Sequence, residues 1–125
     1  MLDGFRFVII SNQGGIQQGY ETDESVETKI VAVLDALHEA LALPKGTYQY
    51  AFRYCGSYDD HPDRKPRPGM VVDAIVAYGI DAQASYSVGD MDTDYQAFSA
   101  AGIRHWFHID HFLSTRPQPE IHLYQ

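Results

Sequence analysis

The sequence predicts an α/β fold in which a parallel sheet is covered by helices on both faces, giving three layers. Strand patterns and helix patterns alternate along the whole chain, which is typical of parallel sheets. Polar segments follow three of the four predicted strands, as in folds that bind ligands at the carboxyl ends of their strands. The length of 125 residues is that of one domain.

Two strands and one helix are predicted in the first part of the chain. The run FRFVII is short, continuous and apolar, which predicts a buried strand over residues 5–10. Apolar residues at helical spacing predict an amphipathic helix over residues 24–42, with Thr22 or Asp23 as its N-cap. Aromatic residues alternate over residues 48–54 and predict a strand, and we interpret them as core rather than as a base-stacking surface.

The second part of the chain continues the alternation. Pro68 is suited to the first turn of a second helix, and Gly79 is suited to its end. A third strand is predicted over residues 84–88, a third helix over 92–101 and a fourth strand over 103–107. The elements therefore follow one another as strand, helix, strand, helix, strand, helix and strand.

Composition limits the classes of function. The formal net charge of −8 argues against a general nucleic-acid-binding surface, although a local positive pocket could still hold an anion. No apolar run is long enough to cross a membrane and no signal-peptide pattern is visible, so we expect a cytoplasmic protein. The single cysteine, Cys55, fits a reducing compartment. We expect a core over residues 1–113 and a C-terminal tail over 114–125.

Two polar segments could bind an anion where a strand ends. In SNQGG, the side chains of Ser11 and Asn12 and the glycine N–H groups could cradle an oxyanion, and an ordinary turn is the alternative. In DRKPRPG, Arg64 and Lys65 could hold a phosphate, and a solvated basic loop is the alternative. The carboxyl ends of parallel strands meet at one edge of a sheet, so we expect these segments to converge.

A third polar segment, GDMDTD, follows the third predicted strand. Asp90 lies closest to the strand end, and carboxylate oxygens are ligands that Mg²⁺ prefers and shares with phosphate. Asp92 or Asp94 could cap the following helix or support the site, and capping is the role that we expect of Asp92. The segment therefore predicts a magnesium site, with simple helix capping as the alternative.

Histidine and cysteine residues give weaker metal-site patterns. His105, His108 and His111 recur every three residues, but strand and loop geometry would not place all three on one face. Cys55 and His61 could be what is left of a zinc loop, but one thiol is too few for a structural zinc site. A nucleophilic role for Cys55 lacks a clear base partner in the sequence.

Four motifs, VIISNQGGIQQG, RKPRPGM, YSVGDMDTD and AFSAAGI, occur in that order. This order resembles the haloacid dehalogenase (HAD) superfamily, and the resemblance covers roughly residues 5–112. Within the superfamily the sequence is similar to the small-capped HAD-IIIA phosphatases, which include the heptose-1,7-bisphosphate phosphatases, the histidinol-phosphate phosphatases and the phosphatase domains of polynucleotide kinase-phosphatases. The resemblance implies a Rossmann-like sheet and Mg²⁺-dependent hydrolysis of a phosphomonoester.

The resemblance also implies a role for each site residue. Ser11 would bind the transferring phosphoryl group, with Asn12 beside it. Lys65 would be catalytic, neutralising the phosphate and the nucleophile, and Arg64 would contact the substrate. The Mg²⁺ ligands that the resemblance implies are Asp90, also counted as catalytic, and Asp94 in support.

The start of the chain departs from the family pattern. Family catalysis begins with an Asp-x-Asp pair at the end of an earlier strand, where the first Asp attacks phosphorus and the second is the acid/base. Leu2-Asp3-Gly4 resembles this pair only superficially, because no strand could precede Asp3. We therefore expect the family's first strand to be missing and the chain to be N-terminally incomplete. A second copy or a partner chain could cover the sheet edge that this would expose.

Three functional hypotheses follow. The first is a Mg²⁺-dependent phosphatase that acts on a small phosphorylated sugar or metabolite, represented here by a truncated chain. The second is a relative that binds phosphate or a partner without catalysis, and the third is a split enzyme completed by another chain. A polynucleotide 3′-phosphatase is the alternative substrate assignment, against which the acidic net charge argues.

Overall fold

The computed structural model describes residues 6–40 and 49–111. The chain divides into two compact units, Met1–Asp60 and His61–Gln125. The first unit contains β1 (Arg6–Asn12), α1 (Asp23–Ala40) and β2 (Gln49–Cys55). The second unit contains α2 (Gly69–Tyr78), β3 (Tyr86–Gly89), α3 (Asp92–Ala100) and β4 (His105–His108), with a 3₁₀ turn at Ala82–Ala84.

In the first unit, α1 packs on one face of a parallel strand pair. β1 and β2 run side by side, so that Arg6 lies opposite Gln49 and Asn12 lies opposite Cys55. The buried core of α1 consists of Val26, Ile30 and Leu34, against which Ile9, Ile16, Tyr50, Phe52 and Tyr54 pack. The aromatic residues of β2 within the described range are therefore core residues, as the alternation predicted, while Tyr48 lies outside that range.

The N-terminus of α1 is closed by a reciprocal pair of hydrogen bonds. The Ser25 backbone N–H donates to Oγ1 of Thr22 over 3.0 Å, and the Thr22 N–H donates to Oγ of Ser25 over 3.0 Å. Such a pair satisfies donors that the first turn of a helix leaves without intrahelical partners. Thr22 is thus the N-cap, and Asp23 is the first residue of the helix.

In the second unit, α3 covers a second parallel strand pair. β3 and β4 align so that Gly89 lies opposite His108. The ring of Trp106 on β4 lies 5.7 Å from the ring of Tyr95 and 6.3 Å from that of Phe98, both on α3. The second unit has two helices, α2 and α3. Their buried residues are Met70, Val71 and Ala74 on α2 and Asp94 and Ala97 on α3.

The sequence predictions of helices and strands are confirmed, with described boundaries that shift by at most two residues. The parallel α/β character is confirmed too, but the strands of the described residues form two pairs, β1 with β2 and β3 with β4. Alternation along a chain predicts parallel pairing but does not determine which strands become neighbours. The predicted boundary between core and tail at residue 113 lies outside the described residues.

No helix in the described part of the chain is long and apolar enough to cross a membrane. The cytoplasmic location stays a prediction.

Candidate functional site

A buried ion pair joins the basic loop to the start of α3. Nζ of Lys65 lies 2.5 Å from Oδ1 of Asp94, and the two side chains are only 10% and 9% exposed. Lys65 comes from the loop before α2, and Asp94 lies in the first turn of α3. Two residues that the sequence singled out from different polar segments are therefore in direct contact.

The second carboxylate oxygen of Asp94 accepts backbone hydrogen bonds. Oδ2 receives the N–H of Asp90 over 3.2 Å and that of Met91 over 3.1 Å. Burial alone would raise the pKa of Asp94, but the Lys65 ammonium and the two amides outweigh it and hold the pKa below its usual range. Asp94 is therefore an anion that links Lys65 to the backbone after β3.

The expectation that Asp92 caps α3 is wrong. Met91 occupies the N-cap position, Asp92 is the first helical residue, and the carboxylate of Asp94 reaches back to the N-cap N–H. The helix start explains the difference: with Met91 at the N-cap, Asp94 is the third helical residue, the position from which a side chain reaches back to the N-cap N–H.

Asp90 presents an exposed carboxylate directly after β3. Its N–H bonds to Asp94, and its carbonyl oxygen lies 3.1 Å from Nε2 of His108. Within the described residues its carboxylate has no hydrogen bond or ion pair. An accessible carboxylate suits Mg²⁺, which keeps several waters and is bound through one or two carboxylates and substrate phosphate. Asp90 alone could therefore contribute one carboxylate ligand to a magnesium ion, while both oxygens of Asp94 are occupied by Lys65 and backbone amides.

Gly89 allows α3 to approach the end of β3 closely. A Cβ at this position would lie 2.6 Å from Oδ2 of Asp94 and 2.8 Å from Cη2 of Trp106. No carbon atom fits at these distances, so the contact between Asp94 and the Asp90 backbone requires a glycine here. In the sequence, Gly89 stood out only as the first residue of the polar segment GDMDTD, directly before Asp90.

The basic loop before α2 is closed by its own backbone. The N–H of Gly69 donates to the carbonyl oxygen of Pro62 over 3.1 Å, and that of Arg64 donates to His61 over 2.9 Å. A Cβ on Gly69 would collide with the Pro62 carbonyl oxygen, so this closure also depends on a glycine. The peptide bond between Lys65 and Pro66 is cis. The loop holds Arg64, which is half-buried, next to Lys65, whose side chain is 10% exposed.

Ser11 and Asn12 are the last two residues of β1, at its carboxyl end. Nε2 of Gln13 donates to Oγ of Ser11 over 2.6 Å, and the Gln13 N–H donates to the carbonyl oxygen of Cys55 over 2.8 Å. Ser11 and Asn12 thus lie together in the first unit, and the Lys65, Asp90 and Asp94 cluster lies in the second. The convergence of all three polar segments stays a prediction.

Gln17 fastens the loop after β1 to the loop after β2. Its Oε1 accepts the Tyr58 N–H over 2.7 Å and the Ser57 hydroxyl over 3.1 Å. Its Nε2 donates to Oδ2 of Asp59 over 2.9 Å, and its backbone N–H donates to the carbonyl oxygen of Gly56 over 3.1 Å. Sequence reasoning missed this clamp, for which the sequence carries no local signal.

The histidine series does not act as a unit. The ring of His105 stacks on that of Tyr86 with 4.7 Å between centroids, whereas His108 reaches the backbone of Asp90. Three positions separate them on β4, so they lie on opposite faces of the strand. Within residues 6–40 and 49–111, no group of three or more His, Cys, Asp or Glu residues could hold a metal ion.

Comparison with known families supplies the assignment. The family model for polynucleotide kinase 3 phosphatase matches residues 1–104. The chain belongs to this family of HAD-type phosphatases.

A heptose-1,7-bisphosphate 7-phosphatase of Mesorhizobium japonicum is 32% identical over 91% of this chain and 54% of its own length. The corresponding Chlorobaculum tepidum protein is 33% identical over 81% of this chain and 55% of its own length. The chain spans about half the length of the curated relatives it matches.

Solved HAD-type phosphatases share the fold. One is the D,D-heptose 1,7-bisphosphate phosphatase of B. bronchiseptica in complex with magnesium and phosphate, with TM-score 0.58 and 33% identity over 76% of this chain and 51% of that one. Another is a HAD-like phosphatase of Mesorhizobium loti, with TM-score 0.62 and 34% identity over 79% of this chain and 49% of that one. The resemblance that the motifs indicated is confirmed, and so is the Rossmann-like fold class.

Proposed function

We propose that this HAD-type chain carries phosphate-binding and magnesium-binding residues of a phosphatase that hydrolyses a small phosphorylated sugar. The observation that carries the proposal is the cluster in which Asp94 holds both the buried Lys65 and the backbone of the exposed Asp90. The similarity to heptose-1,7-bisphosphate phosphatases supports the sugar phosphate as substrate class. The magnesium and phosphate in a solved relative support both ligands.

Each residue of the cluster has a distinct role in this proposal. Asp90 would hold Mg²⁺, with Asp94 in support, and the bound ion would neutralise charge on the phosphoryl oxygens. Lys65 adds a positive charge for the phosphate, and its burial beside Asp94 keeps the ammonium in one place. Arg64 contacts the substrate as a planar donor, and Ser11 and Asn12 donate to phosphoryl oxygens.

The attacking aspartate of the family reaction is assigned to none of the described residues. β1 ends in Ser11 and Asn12, and β2 ends in Cys55. The carboxylate of Asp90 is used for the metal, and that of Asp94 is used for Lys65. We therefore propose that the nucleophile comes from outside residues 6–111 and that these residues alone are catalytically incomplete.

A polynucleotide 3′-phosphatase is the second candidate, because the matching family model carries that description. The net charge of −8 opposes it, since contacts to a nucleic-acid backbone require positive charge. Competition separates the two candidates: a sugar phosphate should displace bound phosphate more effectively than a 3′-phosphorylated oligonucleotide does.

Calorimetric titration of the 125-residue chain with Mg²⁺ tests the metal assignment. We expect Asp90→Asn to abolish Mg²⁺ binding and the matched variant Asp92→Asn to retain it, because the Asp92 carboxylate bonds to Gln96 on its own helix. Equal affinity in D90N and the wild type would contradict the assignment.

Phosphate binding and turnover complete the test. We expect Lys65→Ala to weaken binding of inorganic phosphate and the chain to leave an aryl phosphate unhydrolysed. Mg²⁺-dependent turnover that D90N removes and that persists in Asp3→Asn would show a nucleophile within residues 6–111 and would refute their catalytic incompleteness.

A further inference from the structure

His108 links the backbone after β3 to the backbone after β4. Its Nδ1 lies 3.1 Å from the N atom of Asp110, and its Nε2 lies 3.1 Å from the carbonyl oxygen of Asp90. The Asp110 amide can only donate and the Asp90 carbonyl can only accept, so a neutral ring protonated on Nε2 satisfies both contacts, and Oδ2 of Asp110 lies 3.8 Å from Nδ1. The ring therefore donates to Asp90 and accepts from Asp110.

Side chains hold the backbone of Asp90 on both sides. Its N–H donates to Oδ2 of Asp94 on α3, and its carbonyl oxygen accepts from His108 on β4. The Asp90 carboxylate itself has no hydrogen bond or ion pair to the described residues. The direction in which this carboxylate points therefore depends on how firmly the two flanking peptide groups are held.

We propose that His108 is a positioning residue that orients Asp90 for binding Mg²⁺. The proposal rests on the proposed function, in which Asp90 is the metal ligand. Groups that orient a metal ligand change metal affinity without touching the metal, and their loss typically weakens affinity by a factor of ten or more. His108 is the last residue of β4 and lies opposite Gly89. It acts through the carbonyl group of Asp90.

A matched pair of variants tests the role of His108. Glutamine and methionine have similar length, but only glutamine can both donate to Asp90 and accept from Asp110. We expect His108→Met to weaken Mg²⁺ affinity about tenfold in calorimetric titration, and His108→Gln to restore most of it. His105→Met is the control, because His105 stacks on Tyr86 on the other face of β4. Should H108M not fold, His108→Leu replaces it, since leucine can neither donate nor accept and adds no charge beside Asp90.

The outcomes separate this proposal from the one on which it rests. Mg²⁺ binding that D90N abolishes and H108M leaves unchanged would overturn the role of His108 while the metal assignment stands. Equal losses in H108M and H105M would also overturn it, because they would indicate general damage to β4. A wild-type chain that does not bind Mg²⁺ would overturn both proposals.

Nitrogen NMR of the His108 ring gives a readout that needs no metal. We expect the spectrum of a neutral ring protonated on Nε2. A neutral ring protonated on Nδ1 alone would leave Nε2 without a proton, exclude donation to the Asp90 carbonyl oxygen and overturn the proposal.

Discussion

Nζ of Lys65 and Oδ1 of Asp94 form a buried ion pair across 29 positions of sequence. Both charges lose most of their water, which is costly unless each has a close partner of opposite charge. Asp94 has further partners in two backbone amides, so its charge is well compensated. The ion pair therefore does two things: it stabilises the second unit, and it fixes the position of Lys65, which we propose binds phosphate.

Lys65→Met should lower the free energy of unfolding by about 3 kcal/mol, because it leaves the Asp94 carboxylate buried without its cation. Urea unfolding of the wild type and the variant measures the loss. The control is the double variant with Asp94→Asn, which removes both charges, keeps a side-chain oxygen for the two amides and should cost less than K65M alone. A double variant that is less stable than K65M would contradict this account.

Stability should fall in acid because the folded chain holds Asp94 ionised. The pKa of Asp94 is lowered on folding, so the unfolded chain binds more protons in acid, and the contribution is full above the usual aspartate value of 3.8. It is lost as the pH falls from there through the lower folded value. Thermal unfolding of the wild type and of Lys65→Met measures this loss of stability when it is followed from about pH 6 to about pH 2, a range that includes the usual aspartate pKa. A slope as steep in K65M as in the wild type would exclude Lys65 as the source.

Gly89→Ala should destabilise the second unit by about 1–3 kcal/mol, the usual cost of overpacking. The new methyl group would lie 2.6 Å from Oδ2 of Asp94, so α3 or Trp106 must move. Chemical unfolding measures the change, and we also expect weaker Mg²⁺ binding from the displaced Asp90 backbone. Gly15→Ala is the control, since its Cβ would meet no atom closer than 3.6 Å. Equal stability of G89A and G15A would refute the close packing.

Gln17→Leu should speed hydrogen exchange at the Tyr58 amide, because this amide donates to Oε1 of Gln17 over 2.7 Å. NMR-detected exchange measures the rate at that single position. Gln18→Leu is the matched control, because the structure gives the Gln18 side chain no hydrogen bond to the described residues. Unchanged exchange in Q17L would mean that something else protects Tyr58.

The elements were predictable because their signals are local. FRFVII indicates a strand from six consecutive residues, and Gly79 marks the end of α2, where the structure has φ = +62°. The clustering of Lys65 with Asp94 needed the α/β topology in addition, because only the folded chain brings the two polar segments together. The family could be predicted because its motifs follow one another along the chain in a fixed order, which can be read without knowing the folded structure.

Choices between identical residue types were not predictable. Asp92 and Asp94 are both suited to a helix N-terminus, and the residue at which the helix starts decides that Asp94, at its third position, turns back to the backbone. His105 and His108 differ only in the face of β4 on which they lie, so spacing could not assign His108 to Asp90. Strand pairing was likewise set by tertiary contacts rather than by alternation.

The Gln17 clamp has a consequence for folding kinetics. The Gln17 side chain meets its partners across 40 to 42 positions, so we expect these contacts to close after β1, α1 and β2 have assembled. Interactions that form after the transition state affect the unfolding rate and leave the folding rate nearly unchanged. The clamp should therefore lengthen the lifetime of the folded first unit without helping it to form.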